Sequence, residues 1–281
     1  MPEIFLVFFS ILILSTFSFG QANDRSSHQL SSLNGAYHSY TELESELKKL
    51  ALNYPSIVRL CILGQSLENR NIYALKISNH PGRPENEPRV AFLGCHHARE
   101  WMSVEVPLQL ANYLIKNYDK DERVKAIVDS SEIWIVPLVN PDGLDYSILN
   151  YRLWRKNRRL NGDGSFGVDL NRNYSFGWGA DDSGSSPRPS SETYRGSQPF
   201  SEPETQAIRN LFLNVNFSAT ISYHSFSQSI LYPWSYADLP AEKEPLFQQL
   251  AADMAQLISQ VNGRIYYTGR SAASLYLTNG D

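Results

Sequence analysis

The sequence predicts an α/β protein, namely a single-domain α/β/α sandwich around a mixed, mostly parallel twisted sheet. Two observations carry this prediction: short apolar runs typical of strands alternate with helical segments, and no internal repeat or strong domain break interrupts them. The composition agrees with this prediction. With 281 residues, 42% hydrophobic and 19% charged, the chain can form a core of ordinary globular size.

Five strands are predicted from runs of β-branched and apolar residues: Ile57–Leu63, Ile72–Ile77, Val90–Leu93, Ile133–Val139 and Ala219–Tyr223. Helical spacing predicts five helices, which begin near Thr41, Ser103, Asp121, Ser201 and Glu242. Capping-box patterns at Thr41–Glu44 and Ser201–Glu204 favour the first and fourth starts. The residues Asn140–Gly143 predict a turn, and a long loop region rich in Gly, Ser, Asn and Pro follows to about Pro199.

The N-terminus differs in composition from the rest of the chain. Residues Ile4–Phe19 are almost continuously apolar and the chain turns polar at Gln21, which predicts a cleaved signal peptide over 1–20 and a secreted protein. An uncleaved anchor is the alternative. A short polar leader over 21–36 and one main domain over 37–281 complete the expected organisation. No other stretch is long and apolar enough to span a membrane, so no membrane contact is expected after cleavage.

Charge and cysteine content limit the partners of this chain. The net charge is −4 and no basic face dominates, so a nucleic-acid partner is not expected. Cys61 and Cys95 lie in apolar strand-like runs, and they either pair or remain buried thiols. Nothing in the sequence encodes an oligomer, and a monomer is the expected state.

Candidate metal ligands follow two of the predicted strands. His97 and Glu100 come after the strand Val90–Leu93 and are three residues apart, so they face one side of a turn. His224 ends the strand at Ala219–Tyr223, and sites in such sheets form at the carboxyl ends of strands. Two imidazoles and a carboxylate make a normal three-ligand set for a catalytic zinc. Taken alone, the pair His97 and Glu100 is more typical of a surface turn than of a metal site, and the adjacent His96 is treated as a non-ligand.

Further motifs in the long loop region accompany the candidate metal ligands and make the pattern specific to one family. Together with H-A-R-E-W at His97–Trp101, the segments W-R-K at Trp154–Lys156 and V-D-x-N-R-N at Val168–Asn173 resemble the zinc metallocarboxypeptidases. The resemblance is to the carboxypeptidase A/B branch and its bacterial carboxypeptidase T relatives. It runs from about Tyr37 to the last residue.

The resemblance implies a carboxypeptidase-like fold, one zinc ion, and a peptide or protein substrate with a free C-terminal carboxylate. It implies roles for eight residues. The zinc ligands are His97, Glu100 and His224. Arg155 polarises the scissile carbonyl and stabilises the oxyanion, and Asn171 and Arg172 hold the terminal carboxylate. Arg99 lines an adjoining subsite, and Tyr276 takes the place of a mobile tyrosine that closes over substrate.

Elementary chemistry agrees with these implied roles. Zinc acts as a Lewis acid and makes a bound water nucleophilic at neutral pH. A developing oxyanion requires a fixed cation such as Arg155. The planar fork of Arg172 suits a carboxylate and would select the end of a peptide chain.

The chain also departs from the family pattern. It stops at Asp281, whereas the family continues with part of the specificity pocket, an interior strand carrying the general-base glutamate, and a terminal helix. The expectation is a truncated copy that lacks the last strand and helix and has little peptidase activity. A non-catalytic zinc-dependent protein that binds peptide C-termini is the first alternative. A zinc deacylase of N-acyl amino acids ranks below it, and a purely structural protein is last.

Overall fold

A computed structural model describes residues 8–12, 37–225 and 227–281. Its strands are β1 (Phe8–Leu12), β2 (Val58–Gln65), β3 (Asn71–Ile77), β4 (Arg89–Gly94), β5 (Glu132–Val136), β6 (Ala219–His224), β7 (Ser229–Tyr232) and β8 (Tyr267–Arg270). Its helices are α1 (Tyr40–Asn53), α2 (Met102–Asn117), α3 (Glu122–Asp129), α4 (Pro141–Leu149), α5 (Pro203–Asn214), α6 (Glu244–Asn262) and α7 (Ser271–Ser274). In this part of the chain, none of the helices has both the length and the apolar character that a membrane crossing needs.

The strands form one mixed sheet in the order β2-β3-β5-β4-β6-β1-β7-β8. Strand β4 lies parallel to both β5 and β6, whereas β3 pairs antiparallel with β2 and β5. Because β4 and β6 run in the same direction side by side, their carboxyl ends meet at one edge of the sheet. The candidate metal ligands follow these two ends.

Helices cover both faces of the sheet and bury its apolar side chains. One core cluster joins Leu47 of α1 and Leu108 of α2 to Leu75 and Ile135 of the sheet. On the other face, α5 packs Ile208 and its neighbours against residues of β3, β4 and β5. Helix α6 adds a third cluster against β6 and β7. The arrangement confirms the predicted α/β/α sandwich around a mixed sheet.

Strand β1 occupies an interior position of the sheet. Its backbone pairs parallel with β6, where Leu12 is the register partner of His224, and antiparallel with β7. These five residues lie inside the range predicted as a signal peptide. The other residues of 1–20 and the predicted leader, 21–36, lie outside the described residues, so both assignments remain predictions.

Three local expectations at helix starts were wrong. The first helix is capped by Ser39 rather than Thr41, because Ser39 has extended backbone angles and exchanges hydrogen bonds with Glu42. Helix α5 starts at Pro203 without a side-chain cap, so Ser201 forms no capping box there. The predicted turn at Asn140 is instead the start of α4, since the Asn140 side chain accepts a hydrogen bond from the backbone of Gly143.

The cysteine alternatives resolve in favour of free thiols. Cys61 is partly buried and Cys95 is fully buried, and neither forms a disulfide. Burial raises the pKa of both thiols, which keeps them protonated and unreactive.

Candidate active site

A tight turn after β4 positions the first two candidate ligands. Gly94 ends the strand, and a Cβ atom there would lie 2.2 Å from the carbonyl oxygen of Ser103, so only glycine fits. Cys95 follows with a positive φ of 55°. The hydroxyl of Ser103 accepts a hydrogen bond from the Cys95 backbone and donates one to the carbonyl of Glu100. These contacts fix the loop that carries His97 and Glu100.

The turn brings His97 and Glu100 to His224 at the end of β6. Ligand atoms of the three residues all lie within 4.8 Å of one another, and all three side chains are buried. His97 Nδ1 is 2.9 Å from Glu100 Oε1, and His224 Nδ1 is 2.9 Å from Glu100 Oε2. The two Nδ1 atoms are 3.1 Å apart. Two ring nitrogens and a carboxylate that converge in this way are suited to share one divalent cation.

The electrostatics of the group agree with a metal-ligand set. Burial alone would raise the pKa of Glu100, but the neighbouring His97 and His224 hold it well below its usual range, so the carboxylate is ionised. Burial lowers the pKa of His224 and favours the neutral ring. An ionised carboxylate and a neutral imidazole are the protonation states that metal binding requires.

Asp169 links this group to Arg155, and the sequence pattern had assigned it no role. Its Oδ1 lies 3.3 Å from His97 Nε2, close enough for electrostatic attraction, although the two are not aligned as a hydrogen bond. Its Oδ2 accepts hydrogen bonds from Nε and Nη2 of Arg155, at 3.0 and 2.8 Å. Burial would raise the pKa of Asp169, but Arg155 and His97 hold it well below its usual range. A buried carboxylate behind a ligand histidine fixes the ring orientation, and its place in V-D-x-N-R-N was the available signal.

Asn171 and Arg172 lie on a short 3₁₀ turn, Leu170–Arg172, that Asp169 caps. Arg172 is almost fully buried, and its Nε and Nη1 donate to the carbonyls of Gly184 and Asn171. These bonds hold the guanidinium plane in a fixed direction, which is the arrangement needed to recognise a planar anion.

One open cleft of about 440 Å³ unites the predicted residues. All eight line it: His97, Arg99, Glu100, Arg155, Asn171, Arg172, His224 and Tyr276. His96 stays outside the ligand group, because its Nε2 lies 2.7 Å from the hydroxyl of Tyr174.

Several lining residues were not anticipated from the sequence. Arg152 stacks over Trp101, 3.8 Å from the ring centre, and donates to the backbone carbonyl of Arg99. On another part of the wall lie Leu231, Ser271, Leu275, Thr278 and Asp281. Strand β7 and helix α7, which supply two of these, were too short to show a periodic signal in the sequence.

Comparison with known proteins decides the family. The model of the peptidase M14 family, described as zinc carboxypeptidase, matches residues 43–281. The chain belongs to the zinc carboxypeptidase family. Human carboxypeptidase A5 is 35% identical over 247 residues, which cover 87% of this chain. The metallocarboxypeptidase A of Trichophyton rubrum is 34% identical over 252 residues, or 88% of this chain. The chain spans 56% and 59% of the lengths of these two relatives.

Two solved structures share the fold of this chain. Thrombin-activatable fibrinolysis inhibitor matches with a TM-score of 0.82 and 31% identity, over 87% of this chain and 61% of that one. Carboxypeptidase A from Helicoverpa armigera matches with a TM-score of 0.80 and 30% identity, over 87% and 60%. The family membership and the group of His97, Glu100 and His224 together identify zinc as the cofactor.

Proposed function

We propose that this chain recognises the C-terminal residue of a peptide and acts on the last peptide bond as a zinc-dependent metallocarboxypeptidase. The observation that carries the proposal is that a potential metal site and a fixed arginine fork line the same cleft. A metal site alone would suit many hydrolases. The nearby Arg172 adds selectivity for a free carboxylate, and therefore for an exopeptidase substrate.

The three candidate ligands fit the zinc ion that the family name implies. Their ligand atoms lie within 4.8 Å of one another, and Nε2 of His97 lies 3.3 Å from a carboxylate oxygen of Asp169. Bound zinc supplies Lewis-acid activation of a water molecule and of a carbonyl group. Asp169 orients the His97 ring for this purpose.

The other residues act on the substrate. Arg172 and Asn171 would hold the terminal carboxylate, and Arg155 would face the carbonyl of the last peptide bond, where negative charge develops. Asp169 binds two guanidinium nitrogens of Arg155 and so fixes its plane before substrate arrives. Tyr276 is half exposed beside the cleft, in a position to cover a bound peptide. Arg99 would contact the residue that precedes the scissile bond.

Among the described residues, few side chains in the cleft can transfer a proton during the reaction. Glu100 and Asp281 are the carboxylates that line the described cleft, and Glu100 belongs to the ligand group. We therefore expect slow turnover by the 281-residue polypeptide, since general-base catalysis contributes about 10²- to 10⁴-fold to such reactions. The second candidate function, zinc-dependent binding of peptide C-termini, rests on the same observation.

One experiment separates these functions. Zinc content is measured by metal analysis, and binding and cleavage are measured on a peptide, its C-terminal amide and an N-acyl amino acid. A carboxypeptidase cleaves the free acid and leaves the amide intact, whereas a binding protein retains the free acid uncut. Cleavage confined to the N-acyl amino acid indicates a deacylase. Equal affinity for the acid and the amide would refute recognition of the carboxylate by Arg172. The variant Arg172→Lys tests whether the planar guanidinium group is needed for this recognition.

We also propose that the protein is exported as a monomer after removal of residues 1–20. The apolar run Ile4–Phe19, followed by the polar residue Gln21, supports this. Determining the N-terminal residue of the exported protein by mass spectrometry tests the cleavage. An intact Met1 in the exported protein would refute it, and sedimentation of the same sample measures the oligomeric state.

A further inference from the structure

Two segments of the chain have the pattern Asn-X-Ser, which is the acceptor pattern for N-linked glycosylation of exported proteins. They are residues 173–175, with the sequence Asn-Tyr-Ser, and residues 216–218, with the sequence Asn-Phe-Ser. The chemistry proposed for the cleft uses neither pattern. A glycan is bulky and hydrophilic, so in a folded protein its asparagine must lie at the surface with open space beside it. The structure separates the two patterns by this criterion.

Asn173 is fully buried, and both ends of its amide are used in hydrogen bonds. Its Nδ2 donates to the carbonyl oxygens of Arg195 and Gln198 and to the hydroxyl of Ser201, at 2.8, 3.1 and 2.9 Å. Its Oδ1 accepts a hydrogen bond from the Thr205 hydroxyl at 2.7 Å. A glycan would replace one of the two amide hydrogens and would need space that this packed interior lacks. A chain glycosylated at Asn173 therefore could not form the described fold.

Asn216 has the opposite surroundings. It lies in the short connection between α5 and β6, and both Asn216 and Ser218 are exposed. Phe217 between them is buried, and its ring centre lies 6.4 Å from that of Trp134 and 4.8 Å from that of Phe212. The buried ring anchors the connection to the core, so the residues on either side of it face solvent. The acceptor asparagine and its serine are thus both presented at the surface.

This connection lies at the opposite end of the sheet from the metal ligands. The backbone N–H of Ser218 donates to the carbonyl of Arg89, which is the first residue of β4. Strand β6 then runs from Ala219 to His224, a length of about 16 Å at about 3.3 Å per residue. None of the residues 214–218 lines the described cleft. A glycan on Asn216 would therefore leave the cleft open to a peptide substrate.

We propose that Asn216 is an N-glycosylation site of this chain and that Asn173 is not. The donor is an oligosaccharide joined to a lipid through a diphosphate. Nδ2 of Asn216 forms a bond to the anomeric carbon of the first sugar, while the bond from that carbon to the diphosphate oxygen breaks. The lipid diphosphate leaves with the electron pair, and the amide releases one proton. The inference rests on the proposed export, because the chain must reach the compartment that contains this donor.

The test expresses the full 281-residue chain in a eukaryotic cell line and measures glycan occupancy on protein from the cells and the medium. Peptide-N-glycosidase converts an asparagine that carried a glycan to aspartate, and peptide mass mapping then locates it. We expect one glycan, on Asn216, and its loss in Ser218→Ala. The matched control is Ser175→Ala, which removes the other acceptor pattern at an exposed serine and should leave the glycan unchanged.

An exported chain without a glycan would overturn the inference, as would a glycan on Asn173 or one that persists in Ser218→Ala. The N-terminal residue of the same sample tests the export separately. A second version carries a foreign cleavable leader ahead of Met1, so that it enters the secretory pathway whatever its own N-terminus does. If only this version carries a glycan on Asn216, the proposed export fails and the glycosylation site stands. If neither version carries a glycan, the site is refuted.

Discussion

Glu204 makes the stability of this fold depend on pH in an unusual direction. The side chain is fully buried in the first turn of α5, where Asn157 Nδ2 donates to its Oε2 at 3.2 Å. No group among the described residues hydrogen-bonds its Oε1. Burial, together with the nearby Glu202, raises the pKa of Glu204 from 4.5 to about 8. The acid is therefore protonated in the folded protein at neutral pH.

The sign and size of the effect follow from proton linkage. Below pH 4.5 the acid is protonated in both the folded and the unfolded state, so no stability is lost. Between pH 4.5 and about 8 the unfolded chain releases the proton and the folded chain retains it, so the free energy of unfolding falls as pH rises. At about 1.36 kcal/mol per pH unit the total loss has an upper limit of about 5 kcal/mol. Relaxation around the buried charge reduces this, and we expect about 2–4 kcal/mol.

Glu204→Gln tests this linkage, because glutamine has the same shape and does not ionise. The free energy of unfolding is measured by urea denaturation from about pH 5 to about pH 9 for both proteins, with Glu192→Gln as a control at an exposed acid in the loop that precedes α5. The Glu204→Gln protein should match the parent near pH 5 and become more stable by about 2–4 kcal/mol at about pH 9. Parallel profiles for the two proteins would refute a raised pKa for Glu204.

Two further substitutions test the construction of the site. Asp169→Asn should lower zinc affinity about 10- to 100-fold with little change in secondary structure, since it weakens the orientation of His97. Competition with a chelator measures the zinc affinity, and an unchanged affinity would contradict the role assigned to Asp169. Gly94→Ala should destabilise the fold by about 1–3 kcal/mol, because the new methyl group would overlap the carbonyl of Ser103. Thermal unfolding measures the loss, and an undiminished melting temperature would show that the turn after β4 relaxes without cost.

The sequence predicted the parts of this molecule that depend on local pattern. Of the strands that carry the site, β4 contains the apolar run Val90–Leu93, and β6 alternates apolar with polar residues. The candidate ligands lie at or just after the carboxyl ends of these strands. Their proximity then followed from the general behaviour of parallel strands.

The features that sequence reasoning missed depend on distant contacts or on ambiguous local signals. Asn140 followed by proline and glycine is typical of a turn, but the same asparagine also caps helices, and the buried face of α4 decides between the two. Asp169 was assigned no role from the sequence, because its partners Arg155 and His97 are 14 and 72 residues away. Asp281 lines the cleft only because the backbone of residues 278–280 bonds to distant segments.

The interior place of β1 has a consequence for how the chain reaches its folded state. Phe8 pairs with Thr220, so β1 cannot form this pairing until more than 200 further residues have been synthesised. The ribosome adds about 5–20 residues per second, which leaves the N-terminal apolar segment without its partners for tens of seconds at the slower rate. If β1 is removed in transit, the facing edges of β6 and β7 lose the backbone partner that joins them, at a position where Leu12 is in register with His224.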